Sequence, residues 1–425
     1  MISHSNLTIQ QQTAVEKFAK QRVAALFMEM GTGKTLTAMT LANMHADRYD
    51  CVLWLAPVST LKNAKDEIAK QGGFKKPVGF VGYESIAASD RIYLELLERL
   101  KGKRIFMICD ESLFLKNGAT KRWQRVKELR DKFADFCILL NGTPMSRDEM
   151  DIYWQMEILS PKIFGMTEAQ YRSTLFTKVT IKRAGKGKKC FYRRCQVNIP
   201  WLKSKIAPYV YECDLRLPVA LEEEQETFRV TDNTECEYDF LKKALLDAIS
   251  DFDDYQIMAT LSKMKHLVAS DRWKNDEIAK KISGRRVIVF CEYRNELDRI
   301  VSKTVNGAYS IDGDTPMAER DEIIANWKKG DKPLVIMTGC GSFGHNLQEA
   351  DVVIFASLPW DYATYNQALH RVYRLGQTAK KVKVVQCISR IGIARMVEEC
   401  LWKKMTLAEY VKNTDWRAYA EKLSR

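Results

Sequence analysis

Val23-Ala24-Ala25-Leu26-Phe27-Met28-Glu29-Met30-Gly31-Thr32-Gly33-Lys34-Thr35 decides how the rest of the chain reads. The apolar run Val23 to Met28 leads into glycines, then Lys-Thr, then the helical pattern Leu36 to Met44. That order is strand, turn, helix. Glycines let backbone N–H groups converge on phosphate oxygens with no Cβ in the way. Lys34 would reach the β- and γ-phosphates, and the Thr35 hydroxyl would hold Mg²⁺. The helix N-terminus adds a favourable field for the anion. The usual form of this loop begins with a glycine five places before Gly33, and here Met28 stands there. A lone Gly-x-Gly-Lys-Thr also reads as an ordinary turn, so the flanking elements and the later motifs carry the weight.

With 425 residues the chain is too long for one ordinary core, so two domains are expected. A composition 46% hydrophobic and 28% charged argues for a globular fold rather than disorder. The net charge of +13 favours a polyanionic partner. Eleven cysteines are scattered without a Cys-x-x-Cys pair, and Cys51, Cys109, Cys137 and Cys291 sit inside apolar runs as small core residues. This usage, with no signal peptide, points to a reducing, intracellular setting. No apolar stretch approaches the roughly 20 residues of a membrane helix.

The first third alternates strands with helices. Upstream of the loop, Gln11 precedes Ala14, Val15 and Phe18 at helical spacing. Its amide would read adenine, or it simply opens a solvated helix. Cys51 to Leu55 is a buried-strand run, after which Ser59 and Thr60 cap a helix and suit a nucleic-acid phosphate. Val78 to Val81 is another strand, followed by Gly82-Tyr83-Glu84-Ser85. Arg104 to Cys109 delivers Asp110 and Glu111 at a strand's C-terminal end, where open α/β sheets place ligands. Asp110 would hold Mg²⁺, and Glu111 would orient and deprotonate an attacking water. Asn141-Gly142-Thr143-Pro144 ends a further strand, and Thr143 would sense the γ-phosphate region.

Residues 151–283 break the alternation. Lys182 to Arg194 holds seven basic residues and no acid, with Phe191 and Tyr192 as aromatics. It either grips a phosphate backbone or is a solvated loop. Residues 221–239 swing acidic and mark a module change, and residues 240–282 read as amphipathic helix. Alternation then resumes, with strands at Val287 to Cys291, Leu334 to Thr338, Asp351 to Phe355 and Val382 to Ile388, the last closing the sheet. This second layer has no phosphate loop. It has Gln367 to Gln377, where Arg371 and Arg374 are three apart and share one helical face. Arginines presented from a second lobe neutralise charge on a transferring phosphoryl group. His345 and His370 have no ligand-spaced partners.

Together these residues resemble the Swi/Snf-type ATPases of helicase superfamily two, over about residues 7–380. Met30-Gly31-Thr32-Gly33-Lys34-Thr35 looks like the family's nucleotide motif, and Gln11 fits its upstream adenine-reading motif. Asp110-Glu111-Ser112, with Lys116-Asn117 downstream, is similar to the Asp-Glu-Ala-His box and its trailing Lys-Asn. Asn141-Gly142-Thr143-Pro144 matches motif three. Tyr153 to Gly165 resembles the start of the helical protrusion on lobe one. Gly344-His345-Asn346-Leu347 through Trp360 to Gln377 resembles motifs five and six. Three departures stand out. Ser112-Leu113 replaces Ala-His, Tyr211-Glu212 stands where paired arginines are frequent, and Tyr373 replaces the histidine between the arginines. The compact form is similar to stand-alone bacterial or phage members.

The resemblance implies two RecA-like parallel α/β lobes with helical protrusions in the middle third. The expected division is lobe one at 1–150, its protrusion with the basic segment at 151–216, a helical protrusion or linker at 217–283, lobe two at 284–400 and a helical extension at 401–425. It implies a DNA-dependent ATPase that translocates on double-stranded DNA. Lys34, Asp110, Glu111, Arg371 and Arg374 are the catalytic set. ATP is bound by Gln11, Met30, Gly31, Thr32, Gly33, Lys34, Thr35 and Gly344, and Mg²⁺ by Thr35 and Asp110. Thr60, Lys62, Tyr83, Lys116, Thr338, Gly341 and Trp360 are the expected DNA contacts, with Thr143 and Gln377 in coupling. The expected molecule is a monomer in the cytoplasm, or in the nucleus of a eukaryote. A strand-separating or branch-remodelling DNA or RNA helicase is the alternative enzyme, and an ATP-gated clamp without motor activity the alternative of another class.

Overall fold

Apolar residues fill β1 (Val23–Met28) because both faces of its sheet are covered by helices. Ala25 and Phe27 enter one core with Leu53, Leu55 and Met107, while Ala24, Leu26 and Met28 enter the opposite core with Val52 and Trp54. This two-residue alternation across a wholly buried strand makes the sequence read as a continuous hydrophobic run. The computed structural model describes residues 7–416 except 143, 146–148, 184–186, 216, 252, 343–346, 375, 404–406, 408–409, 412–413 and 415. The chain divides into two compact units, Met1–Leu215 and Arg216–Arg425.

In the first unit β1 is joined by β2 (Cys51–Ala56), β3 (Val78–Gly82), β4 (Ile105–Cys109) and β5 (Ala134–Asn141). A separate hairpin of β6 (Phe176–Arg183) and β7 (Gly187–Arg194) precedes β8 (Val210–Cys213). The six-stranded sheet has the order β3-β2-β4-β5-β1-β8 and every pair in it is parallel. Strand β5 therefore lies between β1 and β4. The C-terminal ends of these three strands leave the sheet side by side, at strand spacings of about 4.8 Å. The order places the phosphate loop, the Asp-Glu pair and the Asn141-Gly142 turn at one edge.

The second unit holds β9 (Ala220–Phe228), β10 (Ile288–Cys291), β11 (Tyr309–Ile311), β12 (Leu334–Met337), β13 (Val352–Phe355) and β14 (Lys381–Ser389). Its order is β11-β12-β10-β13-β14-β9, again wholly parallel. Each unit thus holds a parallel sheet with an apolar core on either face.

Two expectations are corrected here. The strand at 382–388 does not close the sheet, because β9 pairs along the whole of β14. Its acidic run is an edge strand, in which Glu222 meets Lys381 at 3.0 Å and Glu224 meets Lys383 at 2.7 Å. Charges on an outer strand blunt its exposed hydrogen-bonding edge. The basic segment is no loop: Lys182 pairs with Lys188 and Thr177 with Arg193 in an antiparallel ribbon. The amphipathic stretch is carried by three successive helices, Asp232–Ser250, Asp254–Ala269 and Arg272–Ile282. Among the described residues no helix is long and apolar enough to cross a membrane.

Candidate active site

The phosphate loop begins one residue later than its usual form. Met28 stays in β1, fully buried and paired with Cys213, so the turn starts at Glu29. Gly31 and Gly33 have φ of 79° and 84°, in the left-handed region that side chains disfavour. At Gly33 space adds a second requirement, since a Cβ there would lie 2.1 Å from Gln11 Nε2. Thr32 is buried and its hydroxyl donates to Glu29 O at 2.7 Å. Gly33 caps the helix Lys34–Met44, which leaves the first N–H groups of that helix facing the loop. Thr35 lies half-buried in its first turn.

Gln11 lies beneath this loop, buried. Its Nε2 donates to Thr32 O at 2.9 Å, and its Oε1 accepts from Thr8 N at 2.9 Å in a capping box that starts the helix Ile9–Phe18. Both ends of the amide are thus engaged by the protein, and one of them holds the loop itself. Glu29 accepts from Leu215 N at 2.6 Å, which fastens the start of the loop to the last residue of the first unit.

Lys34 Nζ donates to Met28 O at 3.0 Å and Glu29 O at 3.3 Å. Burial pushes its ammonium below the ordinary lysine value, while Glu111, Asp110 and Glu67 pull it back up. A Cβ on Gly142 would lie 3.1 Å from Met30 Cγ and 3.7 Å from Lys34 Nζ. The turn after β5 therefore touches the phosphate loop directly, as the strand order requires. Thr143 lies outside the described residues.

β4 is buried throughout and is followed by Asp110, whose N–H donates to Leu55 O at 2.8 Å. Burial, with the Glu111 charge beside it, pushes Asp110 up to about 7, against the pull of Lys34 and a 3.0 Å hydrogen bond from Glu111 N. Glu111 has φ 49°, a left-handed conformation that costs a residue other than glycine about 1–2 kcal/mol. That strain turns the chain sharply into the 3-10 turn Ser112–Leu115. Thr35 and Asp110 each offer oxygen, the donor type that a hard cation such as Mg²⁺ takes.

Asp110→Asn tests this electrostatic picture. The folded protein holds the Asp110 proton more tightly than the unfolded chain does. Its favourable contribution is complete below the ordinary carboxylate value and is lost as pH rises towards about 7. Without nucleotide or Mg²⁺, Asp110→Asn is expected to melt higher than the parent at pH 8, and the gap should narrow at pH 5. Thermal unfolding at the two pH values measures it, and an equal gap at both contradicts the assignment.

The DNA-contact set needs revision. Tyr83 is fully buried, with its hydroxyl donating to Asp110 O at 2.8 Å, so it supports the acidic turn and cannot touch a nucleic acid. Thr338 is 2% exposed and donates to Cys291 O at 3.0 Å, so it too is internal. Thr60 is half-buried inside the first turn of the helix Val58–Lys70 and donates to Pro57 O. Pro57, rather than Ser59 or Thr60, is the N-cap, and Glu84 takes the Val58 N–H at 3.0 Å. Sequence reasoning passed over that carboxylate at a helix start. Lys62 is exposed and Lys116 half-buried. Gly341 lies in the 3-10 turn Thr338–Ser342, and Gly344 is outside the described residues. Trp360 is half-buried, with Lys265 Nζ 5.4 Å from its ring.

In the second unit the helix Tyr362–Leu369 ends before the arginines. Arg371 and Arg374 therefore lie on the turn that follows, not on a helical face. Val372 N and Tyr373 N both donate to Leu369 O, and His370 Nδ1 lies 2.9 Å from Tyr373 O, which curls the chain out of the helix. Both arginines are half-buried. Leu347 N donates to Arg371 O at 2.9 Å. Gln377 Nε2 donates to Ala350 O at 2.9 Å and Val372 O at 3.2 Å, fastening the arginine turn to the segment before β13.

Residues 271–376 match the family model described as helicase conserved C-terminal domain. The SWI/SNF-related matrix-associated actin-dependent regulator of chromatin subfamily A-like protein 1 of Drosophila melanogaster is 25% identical over 390 residues, covering 82% of this chain and 48% of that protein. An uncharacterized ATP-dependent helicase of Mycoplasma genitalium is 25% identical over 427 residues, 90% of this chain and 39% of that protein. The chain thus spans about half, or less, of the length of these relatives. A Sulfolobus solfataricus SWI2/SNF2 ATPase core in complex with dsDNA aligns at a TM-score of 0.43 with 22% identity, covering 94% of this chain and 91% of that one. By its motifs and these relatives, the chain is similar to the Swi/Snf-type ATPases of helicase superfamily two.

Proposed function

We propose that the chain hydrolyses ATP in a DNA-dependent manner and uses the cycle to translocate along duplex DNA. The observation that carries this reading is the meeting of three motifs at neighbouring strand ends, with Lys34 set between the Asp110-Glu111 pair and the Gly142 turn. A lysine held by two backbone carbonyls in the field of two carboxylates, beside a glycine-rich helix start, suits a triphosphate. The phosphate loop binds its β- and γ-phosphates, and Gln11 reads adenine by exchanging its bond to Thr32 O for one to the base. Glu111 takes the proton of the attacking water. Thr35 and Asp110 would hold Mg²⁺, which supplies charge neutralisation at the phosphates. Arg371 and Arg374, on a turn that Gln377 holds, are the arginines proposed to neutralise charge on the transferring phosphoryl group.

The net charge of +13 and the family resemblance favour a duplex track. The test is ATP turnover with duplex, single-stranded and forked DNA and with RNA. Duplex is expected to stimulate most, and a strong preference for RNA overturns the reading. The basic ribbon β6–β7 is a proposed contact, since a two-stranded ribbon fits the major groove. Neutralising Lys182, Arg183, Lys188, Lys189, Arg193 and Arg194 should weaken duplex binding. It should also reduce the slope of log affinity against log salt by about 0.9 for each phosphate that the ribbon no longer neutralises. Unchanged affinity and slope would remove the ribbon from the DNA surface.

A further inference from the structure

Ser112-Leu113 departs from the family's Ala-His, and the structure shows what Ser112 does instead. Ser112 is fully buried and its hydroxyl donates to Gln155 Oε1 at 2.7 Å. Gln155 is also fully buried, in the otherwise largely apolar helix Met150–Leu159. Its Nε2 donates to Pro144 O at 2.7 Å and to Asp151 O at 2.8 Å. Two carbonyl acceptors on one side and a hydroxyl on the other fix the amide's orientation, and both of its N–H donors are used.

One side chain thus bridges two turns. Ser112 directly follows Glu111, whose left-handed backbone persists only if its surroundings hold it. Tyr83 holds the carbonyl of Asp110 on one side, and Gln155 holds Ser112 on the other. Pro144 follows two residues after Gly142, where an added Cβ would lie 3.1 Å from Met30 Cγ and 3.7 Å from Lys34 Nζ. The helix that carries Gln155 is itself wedged in place, since a Cβ on Gly118 would lie 2.2 Å from the Trp154 ring. Two short hydrogen bonds through Gln155 therefore connect Pro144 to the residue beside Glu111.

We infer that Gln155 is a positioning residue that ties the placement of Glu111 to Pro144. This rests on the ATPase reading above. Gln155 touches neither nucleotide nor DNA in this account, so its loss should spare binding and slow the chemical step.

Gln155→Met keeps the length and removes the hydrogen bonds. Ser112→Ala removes a single hydroxyl, and it carries the test if Gln155→Met does not fold. Each variant is expected to keep the KM for ATP within about twofold and to lower duplex-stimulated kcat by roughly ten- to a hundredfold, the scale of a small misplacement of a reacting group. The ratio of stimulated to basal turnover should fall, and the double variant should be little worse than the worse single one. Parental kcat and stimulation in Ser112→Ala, or fully additive losses in the double variant, overturn the inference. So does a loss of kcat that follows a loss of thermal stability and a raised KM. If the parent itself shows no duplex-stimulated hydrolysis, the ATPase reading has failed instead.

Discussion

Glu111→Gln is expected to bind ATP at least as tightly as the parent and to hydrolyse it about 10²–10⁴-fold more slowly, the usual contribution of a positioned general base. Glutamine keeps the shape of the side chain and its reach to a water but accepts no proton. The nearby charges explain why binding should survive. Glu111 is one of the groups that push Asp110 up, so its neutralisation lets Asp110 ionise more readily. Lys34 loses one carboxylate partner but keeps Asp110 and Glu67. Because Glu111 sits in a left-handed backbone, the variant inherits the same strain and no new one. Titration with a fluorescent ATP analogue, beside steady-state turnover, separates the two effects. Parental turnover would take Glu111 out of the chemistry, whereas equal losses of binding and turnover would assign it to nucleotide affinity.

The arginine pair should have the largest effect. Arg371→Ala with Arg374→Ala is expected to lower turnover by about 10³–10⁵-fold, the range for arginines that stabilise a transferring phosphoryl group. Both side chains are half-buried on a turn rather than packed in a core. The turn itself is held by Gln377 and by the Leu347–Arg371 backbone bond, which the double variant retains. Folding should therefore survive. Nucleotide affinity of the first unit should change little, because the loop, Lys34 and Asp110 are untouched. Turnover at the parental rate would refute the role given to the second unit.

Much of this site was legible in the sequence for a definable reason. Parallel strands covered on both faces appear as apolar runs, so β1, β4 and β5 were visible and their polar ends marked the ligand edge. The order of strands was not visible, and that order brings Gly142 against Met30. β9 was misread because an edge strand lined by Glu222, Glu223 and Glu224 has no apolar run. The arginine spacing suggested a helical face, yet the chain leaves its helix at His370 through bonds that no spacing records. Tyr83 and Thr338 carry groups that suit DNA, and only their burial shows that those hydroxyls serve the backbone. One signal was available and unused. Gln155 is a lone amide in the run Tyr153 to Leu159, otherwise apolar but for Glu157, and such a residue buried in a core needs partners.

Displacement of a third strand from duplex DNA tests the central claim of directed motion most directly. With ATP, the parent protein should release a triplex-forming strand placed ahead of it on a long duplex. Glu111→Gln, or a non-hydrolysable ATP analogue, should leave that strand in place. Duplex-stimulated ATP hydrolysis with the third strand undisturbed would contradict translocation and make the chain an ATP-gated clamp.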